Sequence, residues 1–296
     1  MIETVVIIGA GPAGLATAIQ LQRYGLRPRL LERARPGGLL LNANWVENYP
    51  GFPDGITGPA LVKRMLRQAD RVGVQIESAE VQQLDYHGGF FHLELGGHEL
   101  VARRVVVASG TRARLFQDFD IPGDCQSQVL YEVFPLLGRK VYQIAIIGAG
   151  DAAFDYALNL ARRGNRVYIL NRSQERKCLP LLWQRSQPQA NLSYQANTRV
   201  LALRRSGADK LLIACATPDG TTTLEVDYLL GAIGRSPETG FITARLQEQL
   251  SDLEDRGWLY QVGDVKNELY RQTAIAAGDG LRAAMRIYQH IQEDSQ

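Results

Sequence analysis

The strongest constraint on the fold of this chain is an internal repeat, in which Gly9 matches Gly148 at an offset of 139 residues. The stretch from Val5 to Arg33 has the same pattern as the stretch from Ile144 to Arg172. Each contains an apolar run of strand length, a glycine-rich turn, a helical pattern, a glycine and a second apolar run. The repeat therefore predicts a βαβ unit that occurs twice.

The glycines of the two turns have specific physical roles. The first glycine of GxGxxG permits a tight turn, and the second lets the backbone approach a pyrophosphate at the positive N-terminus of the helix. The third position requires a small residue, so that the helix can pack against the strand. These positions are Gly9, Gly11 and Gly14 in the first copy and Gly148, Gly150 and Ala153 in the second. Two dinucleotide sites are predicted.

The two copies differ at the end of their second strand, at the position whose side chain discriminates between dinucleotide cofactors. The first copy has Glu32, whose carboxylate suits the ribose of FAD or NAD and repels a 2′-phosphate. The second copy has Asn171 there, followed by Arg172, Arg176 and Lys177. Loss of the acid and gain of cations favour NADP(H) over NAD(H). The alternative is that these cations form a solvated loop and that the second site is empty.

Composition argues against several classes of partner. Lys plus Arg is 33 and Asp plus Glu is 31, so the net charge of +2 indicates no nucleic-acid partner. The longest apolar stretch, residues 5–19, is interrupted by glycines and a proline, so no membrane span is expected. The cysteines, Cys125, Cys178 and Cys215, are odd in number and far apart. This favours a reducing compartment, the cytoplasm, over a disulfide scaffold or a zinc site.

Four further stretches resemble the bacterial thioredoxin reductases. Residues 37–65 resemble their FAD loop, and residues 105–114 resemble the strand and crossover that leave their FAD domain. Residues 229–239 resemble their return crossover, and residues 263–285 their C-terminal segment, which closes on the flavin. Together with the repeat, these stretches cover nearly the whole chain in the order of that family.

The resemblance implies an α/β fold of two Rossmann-like dinucleotide-binding domains, each of the three-layer ββα type, with the second inserted into the first. The expected FAD-binding domain is discontinuous and consists of residues 1–113 plus 237–296. The expected central, NAD(P)-binding-like domain is residues 114–236. Homodimerisation through the FAD domains is also implied. Residues 238–262 are shorter than in the family, and leucines at helical spacing predict one short helix there.

The resemblance also implies two sets of cofactor contacts. The residues expected to bind FAD are Gly9, Gly11, Pro12, Ala13, Gly14, Glu32, Arg33, Gly37, Gly38, Leu39, Asn48, Gly110, Asp264, Arg271, Gln272 and Thr273. Those expected to bind NADP(H) are Gly148, Gly150, Asp151, Ala152, Asn171, Arg172, Arg176 and Lys177. Leu39 departs from the family, which usually has glutamine at this position.

A larger departure concerns the redox chemistry. Thioredoxin reductases have a Cys-x-x-Cys shortly before their second glycine motif, whereas the corresponding residues 127–150 contain no cysteine. Cys125 lies too early to replace the pair and has no partner within four residues. Thiol–disulfide exchange through a flavin requires a dithiol beside the ring. Direct reduction of thioredoxin is therefore not expected.

The predicted function is an FAD-dependent oxidoreductase that accepts hydride from NADPH and passes electrons to a non-thiol acceptor. The acceptor is expected to be a ferredoxin or flavodoxin, a quinone or a small molecule. Residues 130–158 are similar to ferredoxin–NADP reductases of this architecture, whereas the Tyr270-Arg271-Gln272 run is closer to thioredoxin reductases. The alternatives are an FAD enzyme that does not use NAD(P)H and a non-catalytic FAD-binding protein.

No catalytic side chain and no metal site are predicted. Hydride transfer needs position and exclusion of water rather than a general acid or base. His87, His92 and His98 lie in a segment of alternating pattern, which indicates a solvated sheet rather than a metal site.

Overall fold

The computed structural model describes residues 2–294, which divide into two compact units. The first unit contains residues 2–41, 46–112 and 236–294, and the second contains residues 42–45 and 113–235. The domain boundaries expected from the sequence lie one residue further along the chain at both crossovers. That expectation also left residues 42–45 in the first domain.

Strands and helices alternate within each copy of the repeat, as in α/β proteins, and both units also contain runs of consecutive strands. The first unit contains strands β1 (Ile2–Ile8), β2 (Arg29–Glu32), β3 (Ile76–Ser78), β4 (Gln83–His87), β5 (Phe90–Leu95), β6 (His98–Val107) and β17 (Leu259–Gln261). Its helices are α1 (Pro12–Arg23), α2 (Gly58–Arg71), α5 (Ala244–Asp255) and α6 (Thr273–Glu293). The second unit contains β8 (Val129–Leu130), β9 (Gln143–Ile147), β10 (Arg166–Leu170), β11 (Leu192–Gln195), β12 (Arg199–Ser206), β13 (Lys210–Thr217), β14 (Gly220–Val226), β15 (Tyr228–Gly231), α3 (Asp151–Arg162) and α4 (Pro180–Ser186). The crossover strands are β7 (Thr111–Ala113) and β16 (Arg235–Pro237), which pair with each other.

The first unit is built on a sheet with the order β3-β2-β1-β6-β5-β4, in which β17 also pairs with β6. The pairs among β1, β2, β3, β6 and β17 are parallel, whereas β4, β5 and the first half of β6 form antiparallel hairpins. Alternate residues of β1 belong to different cores. Val5 and Ile7 pack in a cluster with α1 and α6, and Val6 and Ile8 pack in a cluster with β5 and α5.

Helices α1 and α6 pack closely because glycine stands at their contact. A Cβ on Gly280 would lie 2.1 Å from the backbone oxygen of Ala13, so only glycine permits this approach. The single Thr17 hydroxyl hydrogen is shared between the carbonyls of Ala13, at 2.9 Å, and Gly280, at 3.1 Å. The long C-terminal helix is thereby held along the first helix of the repeat.

The predicted short helix in residues 238–262 is confirmed as α5. Its N-cap is Thr243, whose hydroxyl accepts a hydrogen bond from the Leu246 amide at 3.2 Å. Leu246 and Leu253 are buried on its inner face, and Leu250 packs beside them.

The second unit has three layers around a parallel sheet of order β11-β10-β9-β15-β8. One face of this sheet packs against α3, through Ile144 and Ile146 of β9 and Phe154 of α3. The other face packs against the antiparallel sheet β12-β13-β14, through Ala145 of β9 and Leu211 of β13. The central sheet is therefore covered on both sides, as expected for a parallel sheet.

The fold class expected from the sequence, two Rossmann-type dinucleotide-binding domains, is confirmed. Each copy of the repeat forms the βαβ unit that its pattern predicts, as β1-α1-β2 in the first unit and β9-α3-β10 in the second. No helix within residues 2–294 is long and apolar enough to cross a membrane.

Candidate functional site

The three glycines of the first glycine turn, between β1 and α1, have different steric surroundings. Gly9 has φ +103°, and a Cβ there would lie 2.5 Å from the Ala108 carbonyl oxygen. A Cβ on Gly14 would lie 1.9 Å from the oxygen of Gly9. A Cβ on Gly11 would meet nothing within 4 Å. Gly11 therefore borders open space at the N-terminus of α1, where a cradle for a pyrophosphate is expected.

Glu32 ties this turn to the loop that follows β2. Its Oε2 accepts a hydrogen bond from the Ala10 amide at 2.8 Å, and its Oε1 accepts one from the Ala34 amide at 3.0 Å. A carboxylate can accept about four hydrogen bonds. Glu32 therefore keeps acceptor capacity for ribose hydroxyls.

The glycine pair of the next loop lies against the same turn. The Gly37 amide donates to the Ala10 carbonyl at 2.8 Å. Gly37 and Gly38 have φ values of +112° and +55°, and a Cβ on Gly38 would lie 3.3 Å from the Cα of Gly11. Leu39, in the 3₁₀ turn that follows, is half-buried.

The C-terminal segment completes the surroundings of the turn. Gly263 has φ +74°, and a Cβ there would lie 2.9 Å from the Cβ of Ala13, next to Pro12 at the start of α1. The 3₁₀ turn Gly263–Val265, which contains Asp264, therefore lies beside the N-terminus of α1. Asp279, which is buried, accepts a hydrogen bond from the Gly263 amide at 3.3 Å. Sequence reasoning missed Asp279.

Asn48 and Gln272, which are 224 residues apart in the chain, are in direct contact. The Asn48 Nδ2 donates to the Gln272 Oε1 at 2.7 Å. Gln272 is the N-cap of α6, so Arg271 and Thr273 flank the start of this helix. The structure thus brings together two side chains that are predicted to contact the flavin.

Arg33 and Gly110, two further residues expected to bind FAD, both contact Glu238. The Arg33 guanidinium lies 3.3 Å from the Glu238 carboxylate, and the Glu238 amide donates to the Gly110 carbonyl at 3.0 Å. Glu238 was not singled out from the sequence, because its partners lie far away in the chain.

The second glycine turn, between β9 and α3, repeats the geometry of the first. Gly148 has φ +132°, and a Cβ there would lie 2.3 Å from the Ala232 carbonyl oxygen. A Cβ on Gly150 would meet nothing within 4 Å, and Ala153 is fully buried. Asp151 and Ala152, both exposed, follow in the first turn of α3.

The loop after β10 is held by hydrogen bonds within it and to the segments beside it. Asn171 is buried, and its Nδ2 donates to the Glu175 carbonyl at 2.9 Å and to the Tyr194 hydroxyl at 2.8 Å. The Lys177 amide donates to the Ala149 carbonyl at 2.8 Å, which joins the loop to the glycine turn. Asp151 accepts from the Leu179 amide at 2.7 Å.

The three cations of this loop have different surroundings. Arg172 lies 3.7 Å from Asp118, and both side chains are mostly exposed. Arg176 lies over the ring of Trp183, at 4.3 Å from the guanidinium carbon to the ring centroid. Lys177 is exposed. Sequence reasoning found the cations but missed Trp183, whose position depends on the packing of α4.

A polar cluster in the second unit was also missed. The Asn42 Oδ1 accepts from the Phe134 amide at 2.9 Å. Asp155 accepts from the Asn44 amide at 2.8 Å. Burial raises the pKa of Asp155 to about 6, and the Asn44 hydrogen bond opposes that rise.

The cysteines form no disulfide in the described residues. Cys125, Cys178 and Cys215 are all free, and Cys125 and Cys215 are buried in the core. Burial raises the pKa of each thiol. Since the thiolate is the reactive form, these surroundings disfavour thiol chemistry.

Comparison with known proteins agrees with this geometry. A family model described as pyridine nucleotide-disulphide oxidoreductase matches residues 3–282. This chain belongs to that family. Family membership confirms the expected enzyme class, an NAD(P)H-dependent flavin oxidoreductase, and with it the use of FAD and a pyridine nucleotide.

The similar proteins include several thioredoxin reductases. The oxidoreductase is 29% identical over 313 residues to NADPH-dependent thioredoxin reductase 3 of Arabidopsis thaliana, covering 98% of this chain but only 59% of that relative. It is 30% identical to the thioredoxin reductase of Schizosaccharomyces pombe, covering 98% of this chain and 97% of the relative. The structure of Lactococcus lactis thioredoxin reductase in the FR conformation matches with a TM-score of 0.83 and 26% identity, covering 98% and 99% of the two chains.

Proposed function

We propose that this oxidoreductase accepts hydride from NADPH and passes electrons to a non-thiol acceptor. The observation that carries the proposal is the presence of two glycine turns with open space for a pyrophosphate, in a chain whose three cysteines include no Cys-x-x-Cys pair and form no disulfide. When bound, FAD and NADPH supply the hydride chemistry, and the protein supplies binding, orientation and exclusion of water.

The first unit's turn is proposed to hold FAD. Gly11 leaves room for a pyrophosphate, and the N-terminus of α1 favours its negative charge. Glu32 has acceptor capacity for a ribose. The Asn48–Gln272 pair, at the N-terminus of α6, is proposed to orient the ring and to favour negative charge on it.

The second unit's turn is proposed to hold NADP(H). Gly150 leaves the same open space at the N-terminus of α3. The carboxylate that is proposed to bind a ribose in the first copy is replaced by Asn171, whose amide group donates to the Glu175 carbonyl and the Tyr194 hydroxyl. Arg172, Arg176 and Lys177 supply the positive charge that a 2′-phosphate requires.

The acceptor is proposed to be a ferredoxin or flavodoxin, a quinone or a small molecule. A dithiol route requires a thiolate within reach of a second sulfur. Cys125, Cys178 and Cys215 lie far apart in the sequence and form no disulfide. Their burial also disfavours the thiolate form.

The oxidoreductase is further proposed to be a homodimer. Leu281 and Met285 lie one turn apart on α6 and are 44% and 49% exposed. A second copy would remove these apolar side chains from water. The free cysteines suit the cytoplasm, the compartment expected from the sequence.

The first experiment is anaerobic mixing of the purified protein with NADPH or NADH, followed by the oxidised-flavin absorbance near about 450 nm. Rapid bleaching by NADPH and slower bleaching by NADH is expected. Bleaching by neither coenzyme would contradict the proposed donor and favour an FAD enzyme that does not use NAD(P)H. Adding a ferredoxin, a flavodoxin, a quinone or thioredoxin to the reduced protein then tests the acceptor. Reoxidation by thioredoxin alone would contradict the non-thiol proposal.

A further inference from the structure

Arg176 is held differently from the other cations of its loop. Arg172 faces Asp118 at 3.7 Å, and that carboxylate competes with any anionic ligand. Arg176 instead lies over the Trp183 ring. An aromatic face holds a guanidinium without neutralising its charge, and it leaves the N–H donors available to a phosphate.

Trp183 is itself fixed by an aromatic cluster. Its ring lies 5.9 Å from that of Phe154 and 5.5 Å from that of Tyr194, with edge-on geometry in both pairs. Phe154 is fully buried in α3. Tyr194 accepts a hydrogen bond from Asn171, so the same cluster also supports the start of the loop.

A fixed cation binds a phosphate with less loss of side-chain freedom than a mobile one. Arginine is suited to this task because its planar fork can donate two parallel hydrogen bonds to one phosphate. By restricting the motion of Arg176, the ring of Trp183 therefore favours phosphate binding in addition to its packing in the aromatic cluster.

We propose that Trp183 is a positioning residue, which holds Arg176 ready to recognise the 2′-phosphate that distinguishes NADP(H) from NAD(H). The inference rests on the proposed use of NADPH and adds the structural basis of the choice between the coenzymes. It assigns a specificity role to a residue that lies outside the glycine turn and outside the loop.

Calorimetric titration of the FAD-loaded protein tests the proposal with two probes, 2′,5′-ADP and 5′-AMP, of which only the first has a 2′-phosphate. Replacement of Arg176 by Met should weaken 2′,5′-ADP about tenfold. Trp183→Leu should weaken it by about threefold to tenfold, and Trp183→Phe, which retains an aromatic face, by less than about twofold. Binding of 5′-AMP should change less than about twofold in all three variants.

A matched control is Trp258→Leu, which removes an Arg–Trp contact in the first unit, where the Arg256 guanidinium carbon lies 5.3 Å from the ring centroid. This variant should bind both probes as the wild type does. Equal weakening of both probes by Trp183→Leu, or no weakening of either, would overturn the inference. Failure of wild-type protein to bind either probe would contradict the proposed coenzyme itself. The two failures are therefore distinguishable.

A spectroscopic readout separates positioning from folding. Binding of 2′,5′-ADP beside Arg176 should change the tryptophan emission of the wild type, and most of this change should be absent in Trp183→Phe. The same emission change in both proteins would show that Trp183 does not sense the phosphate, which contradicts the proposal.

Discussion

At the scale of single residues, Gly11 and Gly150 differ from the other glycines of their turns. Gly9, Gly14 and Gly148 are required by the backbone around them, because a Cβ would lie within 2.5 Å of a carbonyl oxygen. A Cβ on Gly11 or Gly150 would meet nothing within 4 Å. The chain itself thus gives no steric reason for glycine at these two positions, whereas the proposed pyrophosphates would supply one.

We expect Gly11→Ala to fold but to lose most of its FAD, and Gly150→Ala to keep FAD and to bind NADPH at least about tenfold more weakly. Each variant is the control for the other, because the same methyl group is added to the same turn in a different unit. Flavin content and calorimetric titration measure the two effects. Loss of both cofactors in both variants would show that the added methyl disturbs folding instead.

Asp155 gives a second prediction at this scale. Its pKa is raised by burial to about 6, from the ordinary value of 3.8. The folded protein holds this proton more tightly than the unfolded chain, so the contribution of Asp155 to stability falls as pH rises from about 4 to about 6. Asp155→Asn should gain about 1–3 kcal/mol in free energy of unfolding relative to wild type between pH 4 and pH 7.

Urea titration at several pH values measures this difference. Asp219→Asn, at an exposed position, is the control for the substitution itself. A constant difference between Asp155→Asn and wild type would contradict the raised pKa.

Sequence reasoning reached the glycine roles but not these side-chain partners. The three positions of each turn follow from a local pattern, whose geometry repeats wherever a strand meets a helix in this way. Asp155 and Asn44 are 111 residues apart, and Asn48 and Gln272 are 224 apart. Such pairs depend on how distant segments pack, and no local spacing encodes them.

At the scale of elements, the C-terminal end of α6 is attached to the sheet by two polar contacts. The buried Arg104 of β6 pairs with Asp294, and the Tyr260 hydroxyl lies 2.8 Å from the Nδ1 of His290. The leucine pattern predicted α5, whereas the attachment of α6 joins residues up to 190 apart and has no local signal. Removing one partner of a buried ion leaves its charge without compensation.

Asp294→Ala should therefore lower the free energy of unfolding by about 1–3 kcal/mol. Asp252→Ala, which breaks the exposed Arg256–Asp252 pair, should cost less than about 1 kcal/mol. Chemical denaturation measures both, and hydrogen exchange should show earlier opening of the last turns of α6 only in Asp294→Ala. Equal costs would contradict the role of the buried arginine.

At the scale of the whole molecule, the proposed chemistry uses no sulfur. A variant with alanine at Cys125, Cys178 and Cys215 should be reduced by NADPH at a rate within about twofold of the wild type, because no thiol is needed for hydride transfer. Two of the three side chains are buried, so the same variant should lose about 1–3 kcal/mol of stability. Loss of acceptor turnover with normal flavin reduction would reveal a thiol step and contradict the proposal.

The second unit is inserted into the sequence of the first, so the first unit is completed late during synthesis on the ribosome. Strand β17 pairs with β6, and α6 packs on α1, yet both late elements are made after the whole stretch 113–235. The inserted unit can therefore complete its sheet while the second half of β6 still lacks one neighbour. The turn at Gly263 and the start of α6, which are proposed to complete the FAD site, are also made late, so we infer that the nascent chain acquires its flavin only near the end of translation.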